Sequence, residues 1–116
     1  EEIYEMSDII SLHVPLDLET KNMITLNEMK LMKKNVSLIN TSRGGIINER
    51  DLYIALKDKL IAGAAVDVFE DEPYNGLLLN YNNITLTPHI GAYAKEIRMQ
   101  MELEAAENII EGLKNE

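Results

Sequence analysis

Four side chains offer the most versatile chemistry in this sequence: the guanidinium of Arg43, the carboxylates of Asp67 and Glu72, and the imidazole of His89. An arginine fork grips a carboxylate through two parallel hydrogen bonds. Histidine titrates near neutral pH and can give or take a proton. A carboxylate beside it fixes its orientation and favours its charged form. Together these groups suit a small acid with a carbonyl or hydroxyl next to its carboxylate.

The elements that must position them are legible in the apolar pattern. Residues 9–14 form a β-branched run ended by Pro15, so His13, Val14 and Pro15 close a buried strand. Residues 36–40 read as a second strand, followed by Thr41-Ser42-Arg43-Gly44. Residues 61–68 read as a third, with Asp67 near its end and Glu70 and Glu72 just beyond. Residues 84–87 read as a fourth, ended by Pro88 and followed by His89-Ile90-Gly91. Thr25 and Glu28 make a capping-box pair for a helix to about Lys33. Asn48 caps another that runs to about Lys59. Residues 70–83 are acidic and turn-rich, with Pro73 and Asn75-Gly76, and carry no full helix. Residues 2–6 read as a helix tail, and residues 93–113 as one long helix.

This order predicts right-handed crossovers on a parallel sheet, hence an open, doubly wound α/β fold. Apolar runs without clean alternation predict strands covered on both faces. All strands of such a sheet end on one edge, where ligands of open α/β sheets bind. Neighbouring strands lie about 4.8 Å apart. Loops distant in sequence therefore meet across one crevice. Each residue also has an ordinary reading. Arg43 alone would be a surface residue, Asp67 a turn cap, and Glu70 to Glu72 a solvated acidic loop. His89 would be a loop histidine bonded to backbone, and His13 a satisfied strand or rim histidine. Their joint placement at strand ends is what points to a site.

Composition narrows the field. The 116 residues make one domain's worth of chain. With no cysteine, a disulfide framework and a cysteine-ligated metal site are excluded, and no metal is expected. Lys and Arg number 11 against 20 Asp and Glu, a net charge of −9 with no basic patch. That balance opposes nucleic acid and anionic membrane as partners. No apolar run approaches the roughly 20 residues of a membrane span. No signal-peptide pattern is present, so the cytoplasm is the expected compartment.

Asn40-Thr41-Ser42-Arg43-Gly44, Asp67-Val68-Phe69-Glu70-Asp71-Glu72-Pro73 and Thr87-Pro88-His89-Ile90-Gly91 resemble the signature blocks of the D-isomer-specific 2-hydroxyacid dehydrogenases. Residues 7–15 and Thr20 resemble the block that precedes them. The four blocks stand in order over nearly the whole chain. The run from His89 to Ala92 is most similar to the phosphoglycerate dehydrogenase branch.

The resemblance implies a Rossmann-like NAD-binding domain. It implies an oxidoreductase moving a hydride between NAD and a small D-2-hydroxy or 2-keto acid. Arg43 would bind the substrate carboxylate and polarise the carbonyl. His89 would be the acid/base, oriented by Glu72. Asp67 would hold the nicotinamide carboxamide. Thr41, Ser42, Arg43 and His89 would line the nicotinamide side. His13, Val14 and Pro15 would flank the adenine side. Gly91 and Ala92 would let backbone approach the nicotinamide. Two positions depart from the family pattern. Tyr93-Ala94 stands where a helix-capping Ser or Thr is usual, and Asp17 where Thr is common.

No G-x-G-x-x-G occurs, and Arg43-Gly44-Gly45 lacks the spacing of a pyrophosphate loop. In the family that loop lies upstream. Residues 1–92 therefore read as the second half of a dinucleotide-binding domain. Residues 93–116 read as a helix leading to a substrate domain. The chain reads as one entered partway through, inactive in isolation and without appreciable NADH affinity. Its first strand then leaves an open edge. The last helix carries Met99, Leu103, Ala106, Ile110 and Leu113 in one row and Ile97, Met101 and Ala105 in another. That is more apolar surface than a half-exposed helix needs, so this sheet, a further domain or a partner must cover it. The edge and the helix predict self-association, and the family implies a homodimer. Two other readings stay open: a dinucleotide-sensing corepressor of the same family, and a glyoxylate or hydroxypyruvate reductase. A receiver-type interaction module is disfavoured, because His13 stands where its acidic cluster would close the first strand.

Overall fold

The computed structural model describes residues 2–114, in the order α1 (Glu2–Met6), β1 (Ile9–Leu12), α2 (Leu26–Leu31), β2 (Ser37–Asn40), α3 (Glu49–Lys57), β3 (Gly63–Val66), a 3₁₀ turn (Leu77–Asn80), β4 (Ile84–Leu86) and α4 (Lys95–Lys114). The elements end sooner than the apolar pattern suggests, each for a local reason. β1 stops at Leu12 because its partner β2 stops at Asn40, so His13 and Val14 have no ladder to join. α2 stops at Leu31, where Met32 turns to extended backbone with ψ 159°. α3 stops at Lys57, and Lys59 turns left-handed at φ 55°. The caps at Thr25 and Asn48 form as expected. The Thr25 N–H donates to Glu28 Oε2 at 2.8 Å, and Asn48 Oδ1 accepts from the Asp51 N–H at 3.0 Å.

The four strands are parallel in the order β1-β2-β3-β4. The fold is α/β and Rossmann-like, with an incomplete sheet. Every connection steps the same way along the sheet, and right-handed crossovers then fall on one face. α2 packs on α3, and α3 on the 3₁₀ turn, as that geometry requires. Burial alternates accordingly. Ile10, Leu12, Leu38, Ala64 and Val66 point into the core with Met29, Leu52, Ala55, Leu56 and Leu78. The other face is not covered: Ile9 is exposed, and Ser37, Ile39, Gly63 and Ala65 are half-buried. The expectation of strands covered on both faces therefore fails for the described residues. The small side chains Gly63 and Ala65 hid the alternation in the sequence.

α4 buries none of its residues. Its apolar rows, Met99, Leu103, Ile110 and Leu113 with Ile97 and Met101, are all exposed, so burial against this sheet does not occur. The helix begins at Lys95 rather than Tyr93. Tyr93 instead closes a turn, its N–H donating to the Ile90 carbonyl at 2.9 Å, and Arg98 lies over its ring at 5.5 Å. Among the described residues no helix is long and apolar enough to cross a membrane.

One contact between strand-end loops leaves no room for a side chain. A Cβ on Gly44 would fall 2.0 Å from the Phe69 carbonyl oxygen and 2.6 Å from the Glu70 nitrogen. Backbone cannot yield as a flexible side chain would. Gly44→Ala is therefore expected to destabilise the protein by about 1–3 kcal/mol, the usual range for overpacking. Thermal unfolding measures it, and an unchanged midpoint would refute the contact.

Candidate active site

The site is built from loops at the C-terminal ends of β2, β3 and β4. After β2 the chain turns through Thr41 and Ser42 to Arg43. The turn is held from beneath by Asn40, which is 1% exposed. Its Nδ2 donates to the Arg43 carbonyl at 2.9 Å. Its Oδ1 accepts from the Ser42 N–H at 3.1 Å and the Ser42 hydroxyl at 2.9 Å. Arg43 Nη1 donates to the Ser42 carbonyl at 2.6 Å, and among the described residues no carboxylate pairs with it. A guanidinium without a carboxylate partner, in a chain with nearly two acidic residues for each basic one, is free for an anionic ligand.

Asp67, just past β3, is buried and organises the loop after β4. Its Oδ1 accepts from the Thr87 hydroxyl and, at 2.9 Å, from the Ile90 N–H. Its Oδ2 accepts from the Gly91 N–H at 2.9 Å. Burial pushes its pKa up, but these three donors outweigh burial and hold it below the usual carboxylate range. The residue they straddle, His89, has φ 55°, a left-handed conformation that non-glycine residues avoid. A local cost of about 1–3 kcal/mol persists only where surroundings impose it. Here Asp67 imposes it.

Glu72 meets His89 from the opposite side. Its Oε1 accepts from the Phe69 N–H at 3.0 Å. Its Oε2 lies 2.8 Å from His89 Nδ1, and Oε1 lies 3.1 Å from the same nitrogen. An ionised carboxylate only accepts, so Nδ1 carries the proton. The Phe69 N–H first, then His89, holds the Glu72 carboxyl below the usual range.

These lowered values set a pH dependence. A carboxylate more acidic in the folded chain stabilises the fold above its unfolded pKa, near 4. That contribution disappears as pH falls through the folded value. Thermal stability is therefore expected to hold from neutral pH to about 5 and to fall below about 4. Glu72→Gln should flatten part of that fall. A midpoint insensitive to acid would contradict both assignments.

Thr41, Arg43, Asp67, Glu72, His89, Gly91 and Ala92 share one crevice of about 630 Å³, with Pro88 and Tyr93 completing its wall. A second crevice of about 520 Å³ opens on the other side of Arg43, Glu72 and His89, bounded by Leu16, Lys21 and Glu70. The residues expected to act together thus stand together. His13, Val14 and Pro15 do not line either crevice; they follow β1, and His13 Nε2 lies 2.8 Å from Ser11 Oγ. The Ser42 hydroxyl is turned toward Asn40 rather than into the crevice. Sequence reasoning gave no role to Asn40 or Thr87. The available signal was a polar residue at the end of a buried strand, just before the loop that carries Arg43. Among the described residues no group of acidic and imidazole side chains could hold a metal ion.

The crevice fits the polar amide and flat ring of a nicotinamide in two respects. Asp67 Oδ2 accepts one hydrogen bond and can accept another. Gly91 leaves its backbone open, since a Cβ there would lie 3.0 Å from that oxygen. An arginine, a carboxylate–imidazole pair and this acceptor thus stand together at the strand ends of a parallel sheet.

The chain belongs to the D-isomer specific 2-hydroxyacid dehydrogenases: residues 1–91 match the family's NAD-binding domain. It is 50% identical to the glyoxylate reductase of Thermococcus litoralis over its full length, covering 35% of that protein. It is 41% identical to the D-3-phosphoglycerate dehydrogenase of Bacillus subtilis, over 98% of this chain and 22% of that one. Among solved structures, an acyclic imino acid reductase bound to NADPH and D-Arg superposes with a TM-score of 0.90, at 38% identity, over 98% of this chain and 37% of that one. The NAD-complexed 2-hydroxyacid dehydrogenase of Lactobacillus delbrueckii superposes with a TM-score of 0.80, at 34% identity, over 96% of this chain and 39% of that one. The chain spans about a third of the length of the curated glyoxylate reductases it matches.

Proposed function

We propose that the protein carrying this chain is an NAD-dependent oxidoreductase that interconverts a small 2-keto acid and its D-2-hydroxy acid. The single observation that carries this reading is the shared crevice of an unpaired Arg43 and a Glu72-oriented His89. When bound, the cofactor supplies or accepts the hydride. Asp67, Gly91, Ala92 and Thr41 would hold its nicotinamide end. His13, Val14 and Pro15 flank its adenine end. Arg43 grips the substrate carboxylate and draws electron density from the adjacent carbonyl. His89 Nε2 gives its proton to the carbonyl oxygen in reduction and takes it back in oxidation. Glu72 stabilises the imidazolium in between.

Two substrate classes are supported alike: glyoxylate, since glyoxylate reductases are 44–50% identical, and 3-phosphoglycerate, since D-3-phosphoglycerate dehydrogenases are 41–42% identical and the run from His89 to Ala92 resembles theirs. An intact Arg43, Glu72 and His89 favours catalysis over a corepressor that only senses dinucleotide. The exposed edge of β1 and the exposed apolar rows of α4 favour a homo-oligomer. Assay of the full-length protein with NADH against glyoxylate and hydroxypyruvate, and with NAD against 3-phosphoglycerate, tests the reading. Turnover of none of these with either cofactor would overturn it.

A further inference from the structure

We propose that Asn40 is a positioning residue for Arg43, setting where the guanidinium meets an anionic substrate; the inference rests on the function proposed above. Asn40 occupies a place that the burial pattern of β2 reserves for an apolar side chain. Leu38, its neighbour on the same face, is fully buried, and Asn40 is 1% exposed. A buried amide must satisfy its polar atoms. All the hydrogen bonds of this one run forward into residues 42 and 43, and none goes to the sheet or the helices.

Arg43 needs such a support because its own side chain supplies none. Among the described residues its side chain bonds to the Ser42 carbonyl, within the same exposed turn. The backbone of the turn is fixed instead: Asn40 Oδ1 takes the Ser42 N–H, and the Gly45 carbonyl accepts from the Asn22 N–H at 2.7 Å. The Arg43 carbonyl accepts from Asn40, and Gly44 lies flat against the Phe69–Glu70 peptide. Asn40 also reaches the imidazole loop through its own backbone: its carbonyl accepts from the Asp67 N–H at 3.0 Å, and Asp67 holds the residues that follow His89. Cation and imidazole thus hang from adjacent buried polar residues at neighbouring strand ends.

Asn40→Asp tests this in the full-length protein. The ionised side chain has the same shape and can still accept from Ser42, but it cannot donate to the Arg43 carbonyl. Asn40→Ser, too short to span to that carbonyl, is a second variant should the first not fold. Either is expected to raise KM for glyoxylate at least about tenfold, the effect of losing about 1.4 kcal/mol of transition-state and ground-state binding alike. The amides of residues 42–45 should exchange with solvent faster, while those of β3 keep their protection. Leu56→Ala, a core cavity distant in chemistry, serves as the control for lost stability; well below its unfolding midpoint its KM should stay near wild type. A wild-type KM in both Asn40 variants, or unchanged exchange of residues 42–45, would overturn the proposal. Should the wild-type protein turn over no 2-keto acid, the enzymatic reading fails by itself, and the exchange result alone decides whether Asn40 holds the Arg43 loop.

Discussion

His89→Ala in the full-length protein is expected to lower kcat for 2-keto acid reduction by about 10²–10⁴-fold, the usual contribution of a positioned acid or base. The loss should fall on kcat more than on KM, because the imidazole acts on the carbonyl oxygen as charge develops there. The geometry makes the direction of the pH dependence definite. Nδ1 is committed to Glu72, which leaves Nε2 as the ring nitrogen to serve a substrate. Reduction consumes the Nε2 proton, and its rate must fall as pH rises. Oxidation needs the same nitrogen bare, and its rate must rise with pH. The variant should lose both dependences. Glu72→Gln should be milder than His89→Ala. The amide oxygen can still accept from the ring, but the charge that favours the imidazolium is gone. A wild-type kcat in His89→Ala would remove the acid/base assignment and leave the crevice as a binding site only.

The residues of this site were legible because strand topology is legible. Four apolar runs separated by capped helices or turns place their C-terminal ends on one edge, and this alone brings Arg43, Asp67, Glu72 and His89 together. What the sequence did not reveal depends on direction rather than position. Asn40 carries no signal that separates a strand-end asparagine facing solvent from one folded under the next loop. The left-handed conformation of His89 is likewise invisible, since it follows from Asp67 accepting N–H groups on its far side. The uncovered sheet face was missed because Gly63 and Ala65 are as acceptable in a buried strand as in an exposed one. α4 was ambiguous for a similar reason. Its apolar rows require cover, but periodicity does not say whether the cover comes from this sheet.

Arg43→Lys is the sharper test of substrate recognition, because it keeps the charge and removes only the geometry. The guanidinium offers a planar fork that meets both carboxylate oxygens; an ammonium on a flexible stem meets them as a point charge. Loss of one charge-assisted hydrogen bond corresponds to about 1.5–3 kcal/mol. That energy converts to a fall in kcat/KM of about tenfold to about 150-fold. Arg43→Ala should lose more, since nothing then offsets the substrate charge beside Asp67 and Glu72. The split between the two constants is informative. If Arg43 only holds the carboxylate, lysine raises KM and spares kcat. If the fork also polarises the reacting carbonyl, kcat falls with it, and a 2-keto acid with a weaker carbonyl dipole should suffer more. An unchanged kcat/KM for every keto acid tested would show that the carboxylate is held elsewhere. The unpaired guanidinium at the end of β2 would then need another ligand.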